Sequence, residues 1–353
     1  MGMSLGDLVK VTLFGESHGN AVGALLEGIP AGTEINEQHL IEDLERRRPG
    51  RRLLSARFEP DHCEVLSGIH DGKATGHPIL LLVRNKDAKS RDYNFLPDHP
   101  RPGHADLPEA IRTGGFADPR GGGTHSGRLT LGLVAAGSIV REVLDSRKID
   151  VVAHCAAIGE IKANFYRESG ESESCSVLNC HDEESAELMF TKVKELRKEG
   201  DSIGSSVEAV IEGLEIGLGE PWFEGLEPAL ARGLMAIPGA RAVEFGRGSA
   251  AVKMRGSEHN DTWGEDLIPI GENADGAIGG MATGAPVRVL VHFKPPSSIS
   301  KPQMTLHLPS GKIRELTVGG RHDPVIAPRA APVVEAVCRL VVADLVMMRE
   351  EFE

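Results

Sequence analysis

The segment VVEAVCRLVVADLVMMR (333–349) reads as a helix starting near Pro332, and its apolar residues nearly encircle it. A helix of that pattern is buried, either in a core or in a subunit contact. Upstream, strands and helices alternate without a clear linker. LVKVTLF (8–14), AVGALLEG (21–28) and the apolar run PILLLVRN (78–85) read as strands, as do VVAHCAA, SVEAVIEG, ARAVEFG and PVRVLVHF. TLGLVAAGSIVREVLD (130–145) reads as a helix entered from the glycine run at 121–123. EESAELMFTKVKELRKEG (183–200) reads as another, with Gly200 as its C-cap. NEQHLIEDLERRRP is helical too: Asn36 suits the N-cap, Leu40, Ile41 and Leu44 share a face, and Pro49 ends it. The arginines of its last turn suit the negative end of the helix dipole. The strands are too irregularly spaced for regular βαβ winding, so the expected fold class is α+β, with mixed sheets and helices.

A chain of 353 residues can bury a sizeable core, as one large domain or two ordinary ones. No apolar run approaches the ~20 residues of a membrane span, and MGMSLGDLVK has no long apolar stretch of the secretory kind. Five cysteines, an odd count, point to free thiols in a reducing cytoplasm. Cys175 and Cys180-His181 form a close Cys/His group. They lack the paired spacing of a zinc site and read as a surface loop, so no metal is expected.

The net charge of −13 argues against nucleic acid and anionic membranes as partners. Yet RRRPGRR (46–52), RPGH (101–104), DPRGGGTHSGR (118–128), KMRGSEH (253–259) and GGRHDP (319–324) set basic residues beside glycine and proline. Any one of these is an ordinary solvated loop. Five of them in an acidic protein point to a site for an anionic small molecule.

GESHG (15–19) fits the G-x-S-x-G pattern of a serine-hydrolase elbow. An elbow needs a strand before it and a helix after it, whereas NAVGALLEGIP follows here and resembles a second strand. The motif also leaves almost no room for the strands that precede an elbow, so a hydrolase is not expected. RGGGTHSGR is neither a P-loop nor a dinucleotide fingerprint. Its three glycines still allow close backbone approach to a ligand, with Arg120 and Arg128 flanking them and Ser126 adding a hydroxyl. His18 and His104 each lie in a glycine-containing loop, which suits proton transfer near neutral pH.

These residues resemble the chorismate synthase family along nearly the whole chain. The matching motifs are FGESHGNAVGALLEGIPAG (14–32), LERRRPG (44–50), EVLSGIHDGKATGHPI (64–79), RPGHAD (101–106), RGGGTHSGR (120–128), MRGSEHND (254–261), FKPPSSISKPQ (293–303) and GRHDPVIAPRAAPVVEA (320–336). The resemblance implies one β-α-β sandwich domain over residues 1–353 and a homotetramer. It also implies a carbon–oxygen lyase of the shikimate pathway. That reaction is an anti-1,4 elimination of phosphate from 5-enolpyruvylshikimate 3-phosphate to give chorismate, and it requires reduced FMN without net redox change. Members differ in whether NADPH reduces the flavin, so NADPH stays open as reductant. The alternative is a divergent member that binds flavin or an anionic metabolite without this elimination.

Carried over residue by residue, Arg47, Arg52, Arg101, Arg128 and Arg321 line the phosphate and carboxylate site. His18 protonates the departing phosphate, and His104 sits by the flavin. Asp323, with Ser17 and Ser126, matches the family's proton relay. Flavin contacts fall on Arg47, Arg52, Thr124, His125, Ser126, Pro238, Gly239, Gly279, Lys294, Pro295, Pro296, Ser297, Ser298 and Arg321. The chain departs from the family at Ala117 and Thr124 (arginines there), His125 (serine), Gly127 (alanine) and Leu129 (glutamate). It departs again at LPEAIRTGG after RPGHAD, and at ENADG, which carries Glu272 and Asp275.

Overall fold

The computed structural model describes residues 2–48, 61–86, 93–164, 173–271, 273, 276–320 and 322–352. Two five-stranded antiparallel sheets dominate. The first runs β1 (Ser4–Leu5), β2 (Lys10–Gly15), β3 (Ala21–Glu27), β7 (Ile79–Arg84), β4 (Cys63–Val65) in spatial order. The small hairpin β5 (Ile69–His70) and β6 (Lys73–Ala74) lies between its last two strands in sequence. The second sheet runs β11 (Ala240–Phe245), β16 (Val287–Phe293), β10 (Ser205–Glu212), β8 (Asp150–Ile158), β9 (Ile161–Lys162). Three further hairpins pair β12 (Thr262–Trp263) with β13 (Pro269–Ile270), β14 (Ala277–Ile278) with β15 (Met281–Ala282), and β17 (Gln303–His307) with β18 (Lys312–Leu316).

The helices are α1 (Glu37–Arg47), α2 (Asp106–Arg112), α3 (Thr130–Asp145), α4 (Glu173–Leu178), α5 (Glu183–Glu199), α6 (Leu226–Met235), α7 (Gly256–His259) and α8 (Ala327–Phe352). α3 packs on β2, β3 and β7 of the first sheet, α8 packs on β8 and β10 of the second, and the two helices pack on each other. The result is a β-α-β sandwich of the α+β class, as expected. Alternation explains the inner faces: Ile79, Leu81 and Val83 of β7, and Val287, Val289, Val291 and Phe293 of β16, are buried.

Two glycines set how closely the layers approach. A Cβ on Gly132 would stand 2.7 Å from the Gly23 carbonyl oxygen of β3, and one on Gly137 would stand 2.5 Å from Ala336 Cβ of α8. α3 is therefore pressed against backbone on one side and against a helix on the other. α8 is buried in the core through most of its length, which decides between the two burials expected for it. Among the described residues, no helix is long and apolar enough to cross a membrane.

The ranges expected for 130–145 and 183–200 match α3 and α5, and Gly200 takes the left-handed cap conformation at φ 68°. The start of the last helix needs correction. α8 begins at Ala327, with Pro332 inside it. Proline has no N–H, so the carbonyl four residues earlier lacks its helical donor. Asn179 repairs this: its Nδ2 donates to Pro328 O at 2.5 Å and to Arg46 O at 3.1 Å. One side chain thus ties the first turn of α8 to the last turn of α1. The Cys/His group also needs correction. Cys175 and Cys180 are buried thiols outside any disulfide rather than surface-loop residues. Burial in apolar surroundings pushes the Cys180 thiol up to about 12, which keeps it protonated and inert.

Replacing Asn179 by Ala strands two carbonyls at this junction and removes a residue suited to its φ of 51°. The variant is expected to lose about 1–3 kcal/mol of stability in urea denaturation. A loss under about 0.5 kcal/mol, the range of ordinary surface substitutions, would contradict the repair.

Candidate active site

The GESHG loop is the turn of a hairpin, since β2 and β3 pair antiparallel with Gly15 opposite Val22. The strand–turn–helix context of a hydrolase elbow is therefore missing. Ser17 is buried, and its Oγ lies 3.0 Å from His18 Nδ1. The glycine run covers this pair, with Ser17 N donating to Gly123 O at 3.1 Å. A Cβ on Gly121, at φ +116°, would stand 2.5 Å from His18 Nδ1. Only glycine lets that backbone lie over the imidazole. Ser126 Oγ accepts from Arg128 N at 3.2 Å and so caps the short turn leading into α3.

Two of the arginines expected on one site, Arg47 and Arg128, meet at Asp61. Arg47, at the end of α1, is 3% exposed, and its Nε donates to Thr130 Oγ1 (3.1 Å) and Nη2 to Gly127 O (2.7 Å). Its Nη1 lies 3.8 Å from Asp61 Oδ2, and among the described residues neither atom has a hydrogen bond. Arg128 Nη1 donates to Asp61 Oδ1 at 2.9 Å, and its Nε donates to Asn85 Oδ1. Arg329 Nη1 donates to Asp323 Oδ2, and its Nε reaches Arg47 O at 3.4 Å. Burial pushes the Arg47 guanidinium well below its ordinary value; Arg329 and Arg128 push the same way, while Asp61 and Asp323 oppose them. Buried charge of one sign, incompletely paired, is a demand for an anion.

A second group faces the first. Arg101 grips Asp106 through Nε (2.8 Å) and Nη2 (2.7 Å), and its Nη1 donates to Ser298 Oγ (3.0 Å). His104 Nδ1 lies 2.6 Å from Asp106 Oδ1. Arg101 Nη2, which only donates, also lies 3.1 Å from this nitrogen, but the carboxylate is the closer partner and only accepts, which favours the proton on Nδ1 and leaves Nε2 to exchange one. Tyr93 joins the groups: its ring meets His18 edge-on at 5.1 Å, and Arg101 Cζ lies 5.4 Å from its centroid. Lys294 Nζ donates to Gly103 O and to Ser297 Oγ (2.6 Å), tying the 294–298 stretch to the RPGH loop. Burial lowers the Lys294 ammonium below its ordinary value. A cavity of about 200 Å³ opens beside Ser298, His322 and Asp323.

Not every expected residue is brought in. Pro238 and Gly239 follow α6, and Gly239 O accepts from Lys294 N at 3.0 Å, which places them beside the 294–298 stretch with Pro295 and Pro296. Gly279 is held elsewhere. Its neighbour Gly280 packs against Gly225 and accepts from Leu226 N at the opposite end of α6, a ten-residue helix that spans about 15 Å. Within this chain Gly279 therefore stands apart from the other expected flavin contacts. Ser17, Ser126 and Asp323 have three separate partners (His18, Arg128 and Arg329), so no described hydrogen bond links them as a relay. Arg52, Arg321, Glu272 and Asp275 lie outside the described residues. Residues that sequence alone did not single out are Asp61, Asn85, Tyr93, Asp106 and Arg329. Asp106 and Arg329 lie within the quoted motifs, whereas Asp61, Asn85 and Tyr93 lie outside them, and all five roles appear only once the chain is folded.

The profile of the chorismate synthase family matches residues 9–347. The chain belongs to the chorismate synthase family. It is 47% identical to the chorismate synthase of Aeropyrum pernix over 98% of this chain and 93% of that one. It is 43% identical to the chorismate synthase of Methanosarcina mazei over 99% of this chain and 97% of that one. A crystal structure of chorismate synthase superposes with a TM-score of 0.75 at 26% identity, covering 98% of this chain and 93% of the other.

Two of this chain's departures from the family pattern touch one another. LPEAIRTGG forms most of α2 and the turn after it, and its Glu109 lies 3.0 Å from His125 Nε2 of the glycine loop. Arg112 and then His125 hold the Glu109 carboxyl down at about 2. His125 is thus engaged by α2, beside the loop that covers His18.

Burial alone would raise the Asp106 carboxyl, but hydrogen bonds from Arg101 and His104 hold it well below its ordinary value. A depressed carboxylate contributes stability above its unfolded value of ~3.9 and loses it as pH falls towards the folded value. The stability difference between wild type and Asp106→Asn is therefore expected to hold steady from pH 7 to about 4 and to shrink below that. Urea titrations across this range check it; a difference independent of pH would contradict the pairing.

Proposed function

We infer that this chain catalyses the anti-1,4 elimination of phosphate from 5-enolpyruvylshikimate 3-phosphate, giving chorismate, with reduced FMN and no net redox change. The observation that carries the reading is the coincidence of a family match over residues 9–347 with two histidines set among buried arginines. The substrate bears two carboxylates and a phosphate, and guanidinium forks suit both. Arg47, Arg128 and Arg101 hold these anions, with Arg329 completing the cluster. The C–O bond to phosphate breaks, and His18 donates a proton to the leaving oxygen. Ser17, against Nδ1, orients that imidazole. His104, fixed by Asp106, offers Nε2 as its exchanging nitrogen. Asp323 accepts the ring proton, since its Oδ1 is buried without a hydrogen-bond partner among the described residues.

The residues present fit an anionic flavin. Arg47 Nη1 is buried without a hydrogen bond among the described residues, and Lys294, Ser297 and Ser298 gather beside the RPGH loop. Thr124, Ser126, Pro238, Gly239 and the 294–298 stretch would hold the cofactor. When bound, reduced FMN supplies transient electron density to the eliminating ring. We also propose a cytoplasmic homotetramer built from a single domain. Trp222, Phe223, Val252, Leu267 and Ile270 are large apolar side chains left exposed, as expected of faces covered by other copies.

The test is an anaerobic assay with chemically reduced FMN and a second arm with NADPH as sole reductant, which asks whether the chain reduces its own flavin. Chorismate is expected in the first arm, and His18→Ala and His104→Ala should each lower kcat by about 10²–10⁴-fold. Ser17→Ala should cost less, because the serine orients rather than transfers. No chorismate from wild type with reduced FMN would overturn the reading. Labelling of Ser17 by a fluorophosphonate would overturn its assignment in this loop.

A further inference from the structure

We propose that Asn85, just beyond the end of β7, is a positioning residue that locks the His18 loop and Arg128 into one geometry; this rests on the proton-donor reading of His18. β7 lies inside its sheet, between β3 and β4, and Asn85 N continues the ladder by donating to Asn20 O at 3.0 Å. Its backbone is therefore fixed, and the side chain reaches from it in two directions. Nδ2 donates to Glu16 O (3.1 Å) and Gly19 O (2.8 Å), the two carbonyls that bracket Ser17 and His18. Oδ1 accepts from Arg128 Nε.

The chemistry admits only this orientation of the amide. Carbonyl oxygens only accept and a guanidinium only donates, so the nitrogen faces the loop and the oxygen faces Arg128. No other side chain of this length offers two donors on one side and an acceptor on the other. Arg128 is in turn fixed by Asp61 at 2.9 Å. Through one amide, the loop bearing the proton donor and a cation that meets the phosphate share a single anchor on a rigid strand. Positioning of reacting groups to within about an ångström is worth on the order of a hundredfold in rate, which is the effect at stake here.

Two substitutions separate the two ends of the amide. Asn85→Ala removes both, and Asn85→Asp keeps the acceptor for Arg128 but turns a carboxylate oxygen towards the carbonyls of Glu16 and Gly19. Hydrogen–deuterium exchange of the peptide covering 14–21 should become about tenfold faster in both variants, with β16 unchanged as internal reference. In turnover, kcat should fall about a hundredfold in both. KM should rise in Asn85→Ala and stay within about threefold of wild type in Asn85→Asp. Unchanged exchange in 14–21 overturns the anchoring whether or not the chain turns over. Faster exchange with unaltered kcat overturns the positioning role, as does an equal loss in both variants that follows only the folded fraction. Absence of chorismate from wild type would instead sink the reading of His18, while exchange still decides the anchor.

Discussion

Nearly everything about this site depends on one buried cation. Arg47 is 3% exposed, and a guanidinium taken that far out of water must be compensated by partners already in place. The fold supplies them from two directions, while a second cation closes in from a third. Thr130 and Gly127 come from the start of α3, Asp61 from the segment before β4, and Arg329 from α8, which reaches the Arg47 carbonyl. None of these contacts survives unless α1 ends where it does.

A second network holds α1 in that place. Arg46, the preceding residue, grips Glu335 of α8 with both terminal nitrogens, at 2.8 and 2.9 Å. Arg339 spans Glu335 and Asp43 at 2.6 and 2.8 Å. Burial would raise the Glu335 carboxyl, yet Arg46 and Arg339 hold it below its ordinary value, so it remains a charged anchor. The two networks differ in kind. Behind the helix, two carboxylates answer two guanidiniums, and the structure is satisfied. In front, Arg47 and Arg128 meet at Asp61, Arg329 pairs with Asp323 and Arg101 with Asp106, and Arg47 keeps a nitrogen without a hydrogen bond among the described residues. Adjacent arginines on one helical turn thus divide the work: Arg46 makes the fold, and Arg47 makes the site.

This division shows what a sequence can and cannot tell. Periodicity gave α3 and α5 nearly to the residue, because their faces and caps are local properties of 130–145 and 183–200. It misplaced the start of α8, because Pro332 is a local breaker rescued by Asn179, a residue distant in sequence. Likewise RRRPG announced cations, but nothing within it distinguished Arg46 from Arg47. The motif resemblance pointed to His18, His104, Arg47, Arg101 and Arg128; it did not point to Asn85, Asp106 or Arg329, each of which holds another group still. Gly279 shows the converse: carried over by position, it lies at the far end of α6 from Gly239.

We propose that a bound phosphate completes the front network at Arg47, whose Nη1 is buried without a hydrogen bond among the described residues. Scanning calorimetry in inorganic phosphate, against sodium chloride of equal ionic strength, tests this without needing turnover. Phosphate is expected to raise the Tm of wild type, as any ligand of the folded state must, and Arg47→Gln to abolish the rise. No rise in wild type, or an equal rise in the variant, would contradict it.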